Sequence, residues 1–588
     1  MASPSPSERL TALRSALSGL GVDGFFLPRG DEHLGEYVPA CAERLAWLTG
    51  FTGSAGLALV LPDTAAVFSD GRYQVQMRQQ VDTSLWSVEH MYETPPPLWL
   101  AKHARGKSVG FDPRSVSVRD IEALEQAGCH MVALPCNPVD GIWADRPKAP
   151  AAPVCIQPLA LTGRENSAKI QDIADSLRQA GQDAVILPDP TSIAWLLNIR
   201  GRDLPFLPVA LCFAILHADA TVDLFIDITR IDDTARSHLG TSVRVHMPAD
   251  MEQILQTMHG KTVRLDPARC PIWFANTLKD VKATLMEGTD PCLMPRACKT
   301  PAELDGMRRA HLLDGIALTR FLCWVEAHGV GKTEAAIADH LLALRREAET
   351  CIGPSFHTIA GSGPNAAIMH YAPTAEQCSA VQADAFLLVD SGGQYTCATT
   401  DVTRTVWLGA GSPPEDWKKQ YTCVLQGLIA LDQAVFPAGT HGYRLDPLAR
   451  LALWKEGLDF DHGAGHGVGS CLSVHEWPLG FTRRPVLDPL HEHMVMTNEP
   501  GFYAPGSHGM RLENQMETCL AYKTETGDYL RFKTLTLAPI DTRGISLERL
   551  TDTERTWLNT YHARVLEQIG PHLAPEEREW LQRACAPL

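Results

Sequence analysis

At 588 residues the chain is too long for one small binding module and has room for roughly three or four domains of about 150 residues. Its 45% hydrophobic and 21% charged content is that of a globular protein, not a disordered or collagen-like one, and its net charge of −17 gives no electrostatic footprint for nucleic acid or anionic membranes. Sixteen cysteines without a C-x-x-C pair argue against a disulfide scaffold or zinc ribbon and for reduced thiols. At the start, Glu8 and Arg9 precede an amphipathic stretch, and no export signal is readable. The longest strongly apolar run, Val209 to Leu216, is far short of a membrane span and fits one buried strand. A cytoplasmic protein with no membrane and no nucleic-acid partner is predicted.

Leu10 to Pro28 and Lys169 to Pro188 each read as an amphipathic helix, a glycine turn and an apolar strand ending in Leu-Pro. Similar phrases follow both, around Trp47 and Trp195, which suggests two related α/β domains in tandem. Pro147, Pro150, Pro153 and Pro158 mark a linker between them. At the second boundary, Thr300, Pro301 and Glu303 form a capping box with proline at the first helical position. A long helix is expected there, with Leu318, Phe321, Leu322 and Val325 on its buried face. The predicted domains are 1–156, 157–299 and 300–588, the last ending in a helical extension.

Several decoys fall away. Gly329 to Thr333 lacks the first glycine of a P-loop, where Glu326 stands, and reads as a turn between helices. Glycine phrases at Gly361 and Gly465 do not complete a dinucleotide fingerprint, and no serine-hydrolase elbow or H-E-x-x-H motif is present.

The chemistry concentrates after residue 385. An apolar strand ends at Asp390, a glycine turn follows, and a second strand begins near Asp401, so a hairpin-like pair would bring two carboxylates together. Buried acids need a cation or hydrogen bonds, and a metal is the natural partner. His466 stands among four glycines, Gly463 to Gly469, whose role is expected to be close backbone approach to a site and not packing. Glu499 closes an apolar strand before Pro500. Glu513 lies on a strand whose polar face also carries Arg511, Gln515 and Glu517. Four carboxylates and one imidazole suit hard divalent ions such as Mn²⁺, and so many acids can neutralise two, which implies metal-assisted hydrolysis.

The motifs DSGGQY, TTDVTRT, GHGVGS, VHE, NEPGFY and RLEN resemble those of pita-bread metallopeptidases, specifically the aminopeptidase P family, and the resemblance extends over nearly the whole chain. It implies an α/β (α+β) protein with two creatinase-like N-terminal domains and a pita-bread catalytic domain. It also implies that Asp390 chelates one ion, His466 and Glu499 serve the other, and Asp401 and Glu513 bridge the pair around an attacking hydroxide. By the same resemblance His475 stabilises the tetrahedral intermediate, His370 and His462 line the substrate site and Glu499 carries the proton, while strand alternation makes Arg511 a same-face neighbour of Glu513, placed to support the ligands. The implied cofactor is two divalent ions, Mn²⁺ first and Co²⁺ or Zn²⁺ as alternatives. The implied substrates are peptides with a penultimate proline, and the implied assembly is a homodimer. Ala464 and Trp477 depart from the usual motifs and replace no ligand; Trp477 could narrow the cleft or stack on a substrate. The alternatives are a prolidase, restricted to dipeptides, and a non-catalytic pita-bread binding module.

Overall fold

A computed structural model describes residues 4–588; Met1–Ser3, at the head of the segment read as lacking an export signal, lie outside it. The chain forms two compact units, residues up to Leu159 with Arg164–Leu293, and Ala160–Gly163 with Met294–Leu588.

The first unit contains two six-stranded sheets of the same design. In one, the strands lie in the order Ser87–His90, Ala65–Ser69, Leu57–Val60, Gly24–Pro28, Ser108–Phe111, His130–Ala133. In the other they run Val243–His246, Val222–Phe225, Phe213–His217, Ala184–Leu187, Thr262–Leu265, Thr284–Glu287. Both have the same sequence of parallel and antiparallel neighbours. The paired phrases noted in the sequence are the helices Pro6–Gly19 and Asn166–Gln179, each leading into the first strand of its sheet. The apolar run from Val209 yields a shorter strand than expected, Phe213–His217. The amide of Leu211 donates to the Asp203 carboxylate at 2.7 Å, which takes that stretch off the ladder.

In the second unit, Thr300 caps the helix Pro301–His328. Its Oγ1 accepts from the Glu303 amide at 3.2 Å, while the Glu303 carboxylate accepts from the Thr300 amide at 2.8 Å. Such a cap stabilises by about 1 kcal/mol. Leu318, Phe321, Leu322 and Val325 are all buried and pack on the sheet strands through Leu387, Val389, Val402 and Val406. That sheet has three strands, Ile359–Ser362, Phe386–Ser391 and Val402–Trp407. A six-stranded sheet carries Gly465–Gly467, Glu476–Phe481, Val495–Asn498 and Asn514–Thr524. The helices Glu415–Asp432, Asp446–Trp454 and Asp552–Ile569 close a core that includes Phe386, Tyr421, Leu453 and Val565. No helix among the described residues is long and apolar enough to cross a membrane.

Candidate metal centre

Phe386–Ser391 and Val402–Trp407 pair antiparallel with Asp390 opposite Thr403, so Asp390 and Asp401 come to the same end of the sheet. Both are buried. Asp390 Oδ2 accepts from Arg511 Nη2 at 2.5 Å, whereas its Oδ1 is buried without a hydrogen-bond partner among the described residues. His466 reaches the acids from the strand Gly465–Gly467. Its Nδ1–H donates to the Gly467 carbonyl at 3.0 Å, and its Nε2 lies 3.5 Å from Asp401 Oδ2 and 3.4 Å from Glu499 Oε1. A carbonyl acceptor on one ring nitrogen fixes the tautomer in which the other offers a lone pair to a metal. Glu513 Oε2 accepts from Thr403 Oγ1 at 2.8 Å. Ligand atoms of Asp401, His466 and Glu513 all lie within 4.8 Å of one another.

Burial, then the Asp390 and Glu499 charges, pushes Asp401 well above the usual carboxylate range. Burial followed by the charges of Asp401, Asp390 and Glu499 does the same to Glu513. Burial raises Glu499 to about 7, with Arg511 and His475 opposing. Three buried acids and the half-buried Glu499 against one guanidinium, with an Asp390 oxygen that has no hydrogen-bond partner among the described residues, fit a site for hard divalent cations.

Two local expectations change. The glycines around His466 do serve packing: a Cβ at Gly465 would stand 2.1 Å from the Thr497 carbonyl oxygen, and one at Gly467 would stand 2.4 Å from that of Glu476. Neighbouring strands press on both positions, and this holds His466 between them. The strand expected through Glu513 is two strands. His508–Arg511 pairs with Gly501–Ala504, and Asn514–Thr524 joins the large sheet, with Leu512 and Glu513 at the crossing. Gln515 and Glu517, on the polar face with Glu513, are buried. Arg511 and Glu513 meet through Thr403, whose hydroxyl accepts from Arg511 Nε at 3.2 Å and donates to Glu513.

The predicted histidines are distributed around this cluster. The His475 ring stands perpendicular to His466 with centroids 4.4 Å apart. His462 donates through Nδ1 to the Gly463 carbonyl at 2.7 Å, accepts at Nε2 from the Tyr503 hydroxyl at 2.9 Å, and has its Nδ1 3.9 Å from Glu499 Oε2. His370 is half-buried, and the carbonyl of its neighbour Met369 accepts from Arg511 Nη2 at 3.4 Å. Trp477, two residues past His475, is 43% exposed. Thr403, Thr497 and Tyr503 join the site without being among the predicted ligands or histidines. Thr497 Oγ1 accepts from the His466 amide at 3.0 Å and lies 3.4 Å from Glu499 Oε1, and the Tyr503 hydroxyl lies 2.5 Å from Arg511 Nη1. Their signal was position: two sit two residues after or before a predicted acid.

Comparison with known proteins bears on the whole chain. Residues 305–518 match "Metallopeptidase family M24" and 528–588 its C-terminal region, while 9–139 and 145–303 each match "Creatinase/Prolidase N-terminal domain". A probable Xaa-Pro aminopeptidase P of Laccaria bicolor is 36% identical, covering 99% of this chain and 94% of its own. The chain belongs to the Xaa-Pro aminopeptidase P family. Aminopeptidase P1 of Arabidopsis thaliana, 36% identical over 99% of both chains, is a further family relative. The crystal structure of X-prolyl aminopeptidase from Caenorhabditis elegans, a cytosolic enzyme with a di-nuclear active site, superposes with a TM-score of 0.94 at 35% identity, covering 99% of this chain and 100% of that one. The two creatinase-like domains and the metallopeptidase domain thus follow the family plan. The prolidase of Pyrococcus horikoshii, 23% identical over 63% of this chain with a TM-score of 0.51, shares only the fold.

Proposed function

We propose that this chain is a metal-dependent Xaa-Pro aminopeptidase, releasing the first residue of peptides whose second residue is proline. Full-length similarity to aminopeptidases P favours this over a dipeptide-restricted prolidase, and the single observation that carries the chemistry is the cluster of buried Asp401 and Glu513 with half-buried His466, beside Asp390 and Glu499. In this reading Asp390 would hold one ion, His466 and Glu499 would hold a second, and Asp401 and Glu513 would serve both. Bound ions supply charge neutralisation, a more acidic water and a polarised scissile carbonyl. Mn²⁺ is the proposed ion, for the oxygen-rich donor set.

The chain's own residues do the rest. Glu499 takes a proton from the attacking water and passes it to the leaving proline nitrogen, which carries no hydrogen before cleavage. His475, against His466, donates a hydrogen bond where negative charge develops on the carbonyl oxygen. His370 and His462 line the substrate site, and Arg511 holds Asp390 in place. We assign the domains as 1–156, 157–299 and 300–588, the location as cytosolic and the assembly as a homodimer, following the family.

The test is hydrolysis of Arg-Pro-Pro, Gly-Pro and Arg-Ala-Ala by chelator-treated protein with Mn²⁺, Co²⁺ or Zn²⁺ restored. Arginine released from Arg-Pro-Pro only with metal is the expected result. Cleavage of Gly-Pro alone would make the protein a prolidase, and inactivity with every ion would make it a binding module. Trp477→Gly, on a panel of first residues and peptide lengths, shows whether the indole narrows the cleft; an unchanged profile removes it from specificity.

A further inference from the structure

The strand Val402–Trp407 turns Thr403 and Thr405 toward the acids and Arg511, and its alternate residues Val402, Arg404 and Val406 toward the opposite side. Val402 and Val406 enter an apolar cluster there, and Arg404, 1% exposed, stands between them in sequence. No carboxylate oxygen of a described residue pairs with its guanidinium. Instead all its donors go to neutral acceptors. Nε donates to the Pro539 carbonyl at 3.0 Å, Nη1 to the carbonyls of Thr403 at 2.8 Å and Glu513 at 2.7 Å, and Nη2 to Asn514 Oδ1 at 2.9 Å, the Ala538 carbonyl at 2.8 Å and the Tyr561 hydroxyl at 2.8 Å. A buried cation is tolerated only when its hydrogen bonds are complete, so this set of acceptors is held as a unit.

Two consequences follow from the geometry. The peptide at Glu513 is gripped at both ends, its carbonyl by Arg404 and its N–H by the Thr403 carbonyl at 3.1 Å, which fixes the direction in which its carboxylate leaves the backbone. Tyr561 belongs to the C-terminal helix Asp552–Ile569, stacks on Trp557 at 5.4 Å and donates its own proton to the Ala538 carbonyl. Only two hydrogen bonds therefore separate the C-terminal helix from the backbone of Glu513.

We propose that Arg404 and Tyr561 are positioning residues that anchor Glu513 to the C-terminal extension, so that this extension sets how tightly the centre keeps its metal. The proposal rests on the reading of Glu513 as a ligand. A carbonyl clamp one step behind a ligand governs metal retention without touching the metal.

The experiment compares the metal-loaded full chain with its Arg404→Lys, Tyr561→Phe and Val565→Ala variants, reading transfer of metal to a chromogenic chelator, the visible absorption of the Co²⁺-loaded form and the thermal midpoint. Arg404→Lys keeps the charge but loses the fork, and is expected to release metal about tenfold faster or more. Tyr561→Phe keeps the stacked ring, and is expected to release it about fivefold faster, the factor for one hydrogen bond, with an altered Co²⁺ spectrum. Val565→Ala empties a fully buried site on the same helix, and should lower the thermal midpoint while keeping wild-type release and spectrum. Should Arg404→Lys fail to fold, Tyr561→Phe decides alone. Wild-type release and spectrum in Tyr561→Phe overturn the proposal, as does a Val565→Ala protein that matches Tyr561→Phe in both. A wild-type chain that takes up no metal overturns the reading of the centre as well.

Discussion

Two groups of buried acids in the second unit are built on opposite plans. Asp314, on the long helix, is 1% exposed and fully engaged: Arg345 Nε and Nη2 donate to its two oxygens at 2.7 and 3.2 Å, and the Tyr395 hydroxyl donates at 2.9 Å. Glu476, next to His475, is paired through one oxygen with Lys299, and its other oxygen lies 3.5 Å from Arg296 Nε without a hydrogen bond among the described residues, so two cations face this one acid. At the metal centre, by contrast, four carboxylates, Asp390, Asp401, Glu499 and Glu513, share the one guanidinium of Arg511. The comparison teaches that the protein has the means to neutralise an interior carboxylate with a side chain and has not done so here. The deficit is the shape of what belongs there. The two plans also touch, because Arg345 Nη2 donates to the Ser391 carbonyl at 3.3 Å, directly after Asp390. The self-sufficient pair braces the deficient one.

The contrast can be broken most severely at a shared acid. Glu513→Gln is expected to abolish peptidase activity and metal uptake, yet to raise the thermal midpoint of the chelator-treated protein near neutrality, because it removes a carboxyl whose ionisation is favoured in the unfolded chain and opposed in the fold by burial and three neighbouring acids. Arg345→Met should do the reverse, destabilising the protein with or without metal by about 3–5 kcal/mol in denaturant unfolding, since Asp314 is left buried and unpaired. His475→Ala removes a donor and no ligand; kcat on a Xaa-Pro peptide should fall by about a hundredfold to a thousandfold with metal content intact.

The smallest effect sharpens the contrast from the first unit. Asp223 accepts from His217 Nε2 at 2.7 Å, Arg244 Nε at 2.6 Å and His246 Nε2 at 2.8 Å. Burial alone would raise this carboxyl, but those hydrogen bonds hold it below its ordinary value. A depressed folded value means that its contribution is present above the unfolded carboxyl value of about 3.9 and is lost as pH falls toward the folded one. Asp223→Asn should therefore lower stability near neutrality and flatten its loss in acid, as pH-dependent urea unfolding would show.

Much of this was readable from residues alone. The capping box at Thr300 and the spacing of Leu318, Phe321, Leu322 and Val325 announce the long helix because both signals are local. The tandem sheets announce themselves by repeated helix, turn and strand phrases. Asp390 and Asp401 are legible as acids at the ends of two apolar strands, but the segment between them is more than a glycine turn: Gly393–Tyr395 and Ala398–Thr399 pair with each other in another sheet. What was not legible depends on register between distant strands. Gly465 and Gly467 look like site glycines until Thr497 and Glu476 are seen pressing on them, and the break at Leu512 and Glu513 lies inside a run whose alternation continues unbroken. Arg404 reads as an ordinary strand cation because its six acceptors come from residues 403, 513, 514, 538, 539 and 561.

The measurement that bears most directly on the deficit of positive charge is calorimetric titration of chelator-treated protein with Mn²⁺. Two ions per chain, with binding lost in Glu513→Gln and kept in His475→Ala, is the predicted result. Absence of binding, or binding that Glu513→Gln leaves unchanged, would contradict the account.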